Sequence, residues 1–258
     1  MTQETQDKLA RSLTAETAEL LPYLPYLLQD LWEIGSSPQD IIKLMKKHMS
    51  LSSETKVLDL ACGKGAVSVK IAESLGVNVY GFDLIPEFLE YARQKAEELN
   101  VSSLCHFARS DINELIGVEK DYDLVVYGAA GDALGCPQEI LQKLASTIKP
   151  GGYAIIDEAY LPEGLSNDEV HYKNYEYLTL KQWMNLFTAC GFELLEELQA
   201  VEHDYDSDTN AIAARTDELS STYPDKRDMF EGYVKSQQNE VDDLESNVTA
   251  VTWMLRRV

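Results

Sequence analysis

The feature that most constrains this chain is a change of rhythm near residue 56, after which short apolar runs and amphipathic helical stretches take strict turns. Val57–Ala61 is an apolar run entering a glycine turn, and the helical stretch VSVKIAESL that follows stops at Gly76. Val77–Phe82 reads as the next strand, and Pro86 opens a helix through FLEYARQKAEEL. Leu104–Ala108 is a third strand. Tyr122–Tyr127, spelled YDLVVY, is a fourth whose continuous apolar character suits burial on both faces. A helix over roughly Gln138–Thr147 leads to a fifth strand, Tyr153–Ile156. Such alternation predicts an α/β fold of Rossmann-like, doubly wound type: a mostly parallel seven-stranded sheet with right-handed crossovers and helices on both faces.

The flanks supply the rest. Residues 6–49 read as helices, with Leu9, Leu13, Leu20, Leu21 and Leu24 on a rough 3.6 period that LPYLPYL interrupts. Ser37 as N-cap, Pro38 at the first helical position and Asp40 in the first turn mark a helix start. Thr179 caps a later helix, LKQWMNLFTAC, that Gly191 stops. Phe192–Val201 reads as a sixth strand and the terminal VTAVTWMLRRV as a seventh. Between them lies a helical insert that Pro224 divides into segments around Ala211–Leu219 and Met229–Leu244. The expected organisation is a core of 51–203 and 247–258, an N-terminal helical lid over 1–50, and an acidic helical lid over 204–246.

Charge narrows the partners. The chain carries 44 Asp+Glu against 22 Lys+Arg, a formal net of −22, and residues 193–245 alone hold 16 acids and 4 bases. Nucleic acid and anionic membrane surfaces both demand basic residues, so neither is an expected partner. Cys62, Cys105, Cys136 and Cys190 form no CxxC pair, so no metal site is expected and reduced thiols are. The opening MTQETQDKLARSL lacks the apolar run of a signal peptide, and no stretch of about 18 apolar residues occurs; the expectation is a soluble cytoplasmic protein.

The chemistry concentrates at Val57-Leu-Asp-Leu-Ala-Cys-Gly-Lys-Gly65. A strand that runs through a glycine turn into a helix gathers main-chain N–H groups and a positive dipole end at one spot. A P-loop would need GxxxxGK[ST], but Lys64 is followed by Gly65 and Ala66. A dinucleotide fingerprint would need GxGxxG, but the third position holds Ser68. Neither explains Asp59 at the strand end, which would repel a pyrophosphate and attract a cationic amine. Asp59 and Asp83 each also have a purely structural use, as caps of the helices that follow them.

This segment resembles motif I of the class I S-adenosylmethionine-dependent methyltransferases. The order of the later segments is also similar: Tyr80-Gly-Phe-Asp83, then IPEFLEYARQKA, Ala108-Arg-Ser-Asp-Ile112, YDLVVYGAAGDAL and Ile148-Lys-Pro-Gly-Gly-Tyr153. The family commonly has Gly where Ala61 stands. The resemblance implies S-adenosylmethionine as cofactor, with Asp59, Ala61, Cys62, Gly63 and Gly65 at its methionine end. Asp83 would hold the ribose hydroxyls beside Leu84 and Phe88, and Ser110, Asp111 and Ile112 would flank the adenine. Tyr127 would lie near the reacting methyl.

The implied reaction is in-line methyl transfer to a small-molecule acceptor. A protein side chain as acceptor and a non-catalytic cofactor-binding protein are the competing readings. The catalytic residue is left open. His171, Asp132 and Glu158 are the candidate bases, each first read as a surface or structural residue. Tyr160, Tyr172, Tyr175 and Tyr177 cluster after the fifth strand, where they pack a lid or surround a cationic or flat acceptor.

Overall fold

The computed structural model describes residues 1–199 and 205–258. At the N-terminus, α1 (Gln3–Ser12) is followed by a single 3-10 turn (Ala18–Leu20) and the one-turn helix α2 (Leu24–Leu27). Pro22 and Pro25 have no main-chain N–H, so the leucine period breaks into short pieces here. The next helix, α3 (Pro38–His48), begins where expected: the Ser37 hydroxyl accepts the Asp40 N–H at 3.2 Å and Lys46, Lys47 and His48 occupy the last turn.

The core then runs β1 (Lys56–Leu60), α4 (Ala66–Leu75), β2 (Asn78–Asp83), α5 (Pro86–Glu98), β3 (Cys105–Arg109), α6 (Ile112–Leu115), β4 (Tyr122–Gly128), α7 (Pro137–Thr147) and β5 (Ile148–Tyr160). The short α6 is not visible in the apolar pattern, because a single turn capped by Asp111 carries no period. After β5 come α8 (Leu180–Ala189), β6 (Phe192–Gln199), α9 (Tyr205–Thr222), α10 (Arg227–Ser246) and β7 (Thr249–Arg257). The expected end of the sixth strand at Val201 and the expected start of the insert at Asp204 lie outside the described residues.

One seven-stranded sheet has the order β3-β2-β1-β4-β5-β7-β6. The pairs joining β1 to β5 are parallel, and β7 is antiparallel to both β5 and β6. The strand order reverses between β1 and β4, and a crevice opens at the carboxyl ends of strands at such a switch point. One face of the sheet buries Ile41, Leu44 and Met45 of α3 with Val69 and Ile71 of α4. The other buries Ile140 and Leu144 of α7 with Trp183 and Phe187 of α8. So α3 belongs to the sheet's covering layer, which corrects the expectation of a lid over all of 1–50: its apolar stripe faces β-strand side chains.

A third apolar cluster joins Leu20, Leu24 and Leu27 of the N-terminal segment to Ile212 and Leu219 of α9 and Phe230 and Tyr233 of α10. Ile85 and Phe88 of the core reach into the same cluster. The two acidic and N-terminal additions thus form one cap. No helix among the described residues is long and apolar enough to cross a membrane.

Candidate functional site

Asp59 sits on β1 in register between Gly81 of β2 and Val126 of β4. It is 3% exposed and accepts the Ser68 hydroxyl at 2.5 Å, so it orients the first turn of α4 without capping Ala66. Burial, reinforced by the nearby Asp83, pushes its carboxyl up to about 7. Beyond it the chain turns through Ala61, Gly63 and Gly65, all at positive φ (57°, 52° and 72°). A left-handed alanine is strained where glycine is not, which is the physical content of the departure at Ala61.

Asp83 ends β2. Its carboxylate accepts the Gly63 N–H at 2.9 Å and the Ile85 N–H at 2.8 Å, tying the glycine turn to the start of α5. Burial raises its pKa above the usual carboxylate range against those two main-chain donors. At the end of β3, Asp111 accepts the Asn113 N–H at 2.9 Å as the cap of α6 and also the Thr5 hydroxyl at 3.2 Å.

These strand ends line a cleft with two adjoining compartments, one larger than the other. Ala61, Asp83 and, from α1, Leu9 and Ser12 border both. Asp59, Cys62, Gly63 and Phe88 line the larger; Leu84, Ser110, Asp111 and Ile112 line the smaller. Two expected residues are absent from the lining. Gly65 is needed elsewhere: a Cβ there would stand 2.5 Å from the Ala92 Cβ, so it permits α5 to pack against the turn. Tyr127 alternates onto the opposite sheet face, because Val126 and Gly128 are its neighbours that look into the cleft. Its hydroxyl donates to the Gly131 carbonyl at 2.8 Å and accepts the Leu134 N–H at 3.2 Å, which corrects its expected place beside a reacting methyl.

Sequence reasoning missed the strap formed by residues 28–36. Lys64, 3% exposed, donates from Nζ to the carbonyls of Leu28 (3.0 Å), Gln29 (3.1 Å) and Leu31. The Trp32 Nε1–H returns a bond to the Lys64 carbonyl at 3.2 Å. Burial pushes the Lys64 ammonium down to about 8. Further along, Ile34 covers Gly63, Gly35 meets Ala129, and Ser36 meets Gly128. The available signal was a lysine between two glycines with no phosphate role to fill.

Among the candidate bases, Asp132 pairs with Arg11 at 2.9 Å. The His171 side chain is 57% exposed and its Nδ1 lies 3.4 Å from the carboxylate of Asp243 on α10. Glu158 is enclosed instead: it accepts the Tyr175 hydroxyl at 2.6 Å, and burial pushes it up to about 7. Of the four clustered tyrosines, Tyr175 and Tyr177 meet edge to face at 4.9 Å, whereas Tyr160 stacks on Trp253 in the core.

Comparison with known proteins adds a second line. A family model described as a methyltransferase domain matches residues 51–215. The uncharacterized protein YjhP of Escherichia coli is 29% identical over 160 residues, 59% of this chain and 63% of that one. A ubiquinone biosynthesis O-methyltransferase of Rickettsia bellii is 31% identical over 116 residues, 45% of this chain and 47% of that one. The alignments thus span less than two thirds of these relatives' lengths. Among solved structures, a SAM-dependent methyltransferase from Thiobacillus denitrificans, crystallised with S-adenosyl-L-homocysteine, superposes with a TM-score of 0.73 at 18% identity. That superposition covers 92% of this chain and 98% of that one, a likeness of fold.

Proposed function

Because the chain belongs to the methyltransferase-domain family of class I S-adenosylmethionine-dependent enzymes, we propose that it transfers a methyl group from S-adenosylmethionine to a small-molecule acceptor. The observation that carries this reading is Asp83. Two main-chain N–H groups fix its carboxylate at the junction of the two compartments, with lone pairs left to accept hydroxyl donors of a ribose. Asp59 in the larger compartment suits a cationic amino end, and Asp111 with Ile112 in the smaller suits an adenine. A neighbour of the same fold is complexed with S-adenosylhomocysteine, which agrees with this use of the cleft.

Held by Asp59, Asp83 and Asp111, the cofactor would supply an activated methyl carbon for a nucleophilic acceptor, with the carbon–sulfur electron pair left on sulfur. The chain's own contribution is to position and to exclude water. Residues 1–36 and the insert of α9 and α10 act as the lid, covering the cleft with Leu9, Ser12, Leu13 and Ile34. A roofed cleft favours a small acceptor over a protein side chain, and the name of the Rickettsia relative points the same way. Unpaired cysteines suit a reducing, cytoplasmic setting.

Isothermal titration with S-adenosylmethionine, S-adenosylhomocysteine and NAD tests the cofactor. Saturable heat from the first two alone supports the reading, and a preference for NAD overturns it. Turnover on a metabolite panel then separates an enzyme from a binding protein.

A further inference from the structure

Asp59 and Asp83 stand on the β1 and β2 side of the larger compartment, which continues past Val126 to Gly128, Ala129 and Ala130 at the end of β4. With the cofactor's amino end and ribose assigned to those two acids, the β4 side is what remains for the acceptor. Leu13, Ile34, Ala129 and Ala130 make that side apolar. Lys64, the cation in the lining, is spent on the carbonyls of Leu28, Gln29 and Leu31, and the Ser12 hydroxyl on the Leu9 carbonyl at 2.9 Å. A charged acceptor would therefore be enclosed without an opposite charge to meet it.

Ser36, which also lines this compartment, is placed differently. Gly128 pairs with Asp157 across β4 and β5, so their side-chain positions share one face of the sheet. A Cβ on Gly128 would collide with the Ser36 hydroxyl and would lie 3.8 Å from the Asp157 Cβ. The glycine thus leaves room for Ser36 beside Asp157. Ser36 Oγ and Asp157 Oδ2 are both buried, and neither makes a well-aligned hydrogen bond among the described residues. They are near enough that the hydroxyl lowers the Asp157 pKa. Asp157 Oδ1, by contrast, accepts the Thr252 hydroxyl of β7. Burial outweighs both hydroxyls and raises Asp157 above the usual carboxylate range. The titratable groups that reach it, Asp40 of α3, Glu158 of β5 and Tyr205 of α9, are all acids and do not oppose that rise. A carboxylate so placed is a stronger base than an exposed one.

Resting on the methyltransferase reading, we propose that Ser36 and Asp157 receive the acceptor's proton, and that the acceptor is an uncharged, largely apolar hydroxyl compound. As the acceptor oxygen bonds to the methyl carbon, the carbon–sulfur electron pair passes to sulfur. The acceptor's O–H proton passes to Ser36 Oγ, and the Ser36 proton to Asp157 Oδ2, from which it returns to solvent after product release. Ser36 touches the acceptor; Asp157 acts through it as a positioning residue. A thiol ionises near neutral pH unaided, whereas a hydroxyl attacks only as its proton leaves, so a hydroxyl is the acceptor for which such a pair matters.

The test uses the full chain with saturating S-adenosylmethionine at pH 8. Methyl transfer to a series of phenols carrying 4-methyl, 4-chloro, 4-cyano or 4-nitro groups is read by mass spectrometry. In Asp157→Asn the loss of kcat should grow with the acceptor's pKa: roughly 100-fold for 4-methylphenol and under about threefold for 4-nitrophenol, which is already ionised. Affinity for S-adenosylhomocysteine should stay unchanged in calorimetry. Ser36→Ala should reproduce the graded loss and Ser36→Thr should restore the rates; where Asp157→Asn does not fold, the Ser36 pair carries the test. A loss that is equal across the series, as a merely structural tie between the strap and β5 would give, overturns the proposal. So does the absence of phenol turnover by a chain that binds S-adenosylmethionine, while the cofactor reading stands. Failure of S-adenosylmethionine to bind the unaltered chain sinks both.

Discussion

Gly63 and Gly65 lie two residues apart and answer to different constraints. At Gly65 a methyl group meets the Ala92 Cβ at 2.5 Å and φ is +72°, so Gly65→Ala is expected to destabilise by about 2 kcal/mol or more, read from urea unfolding. At Gly63 the nearest obstacle is the flexible tip of Ile34, and the change falls on the cleft wall. Asp83→Ala should weaken cofactor binding at least tenfold in calorimetry; unchanged affinity would remove Asp83 from the site. Asp59 adds a pH signature. Its carboxyl titrates at about 7, and only the ionised form attracts an ammonium group, so cofactor affinity should fall from pH 8 to pH 6 and Asp59→Asn should flatten the curve. These acids were legible in the sequence because a strand end and its turn are local. The partners of Lys64 were not, because they lie 33 to 36 residues upstream and are main-chain carbonyls that no side-chain pattern announces.

Elements with a cap or a full period could be read directly; those made by packing could not. Thr179 and Gln182 form a reciprocal cap on α8, with the Thr179 hydroxyl accepting at 3.3 Å and the Gln182 side chain returning a 2.8 Å bond. Thr179→Ala should therefore cost about 1 kcal/mol with an unchanged m-value. The strap over residues 28–36 has no period, and its place over the cleft depends on Lys64. Lys64→Met keeps the buried stem but removes every donor. Stopped-flow release of S-adenosylhomocysteine should then quicken several-fold; an unchanged rate would mean that the strap holds through Trp32 and Ile34 alone. The reading of 1–50 as one lid failed at α3 for a related reason. An amphipathic helix looks the same in sequence whether its stripe meets a sheet or a cap, and only the packing of Ile41 and Leu44 decides.

At the scale of the whole molecule, the surplus of acid and the enclosed carboxyls act in one direction. Asp59 and Glu158 both titrate near 7 when folded, against about 4 in an unfolded chain. Between those values the folded state holds protons that the unfolded state has released, so stability grows as pH falls through 7 and levels off near 4. Raised carboxyls at Asp83, Asp157 and Glu240 add in the same sense. Lys64, pushed down to about 8, is charged in both states below that pH and leaves the trend intact. Lowering the pH also relieves the self-repulsion of a chain with a net charge of −22. The cofactor-free protein should therefore melt several degrees higher at pH 5.5 than at pH 8, since about 1 kcal/mol moves a domain of this size by roughly 2–4 °C. Added salt should narrow the gap from the alkaline side by screening the surface share, and should leave the part owed to the enclosed acids. A melting temperature that falls from pH 8 to pH 5.5 would show that these carboxyls are ionised in the folded chain and that the fold itself already holds their counter-charges.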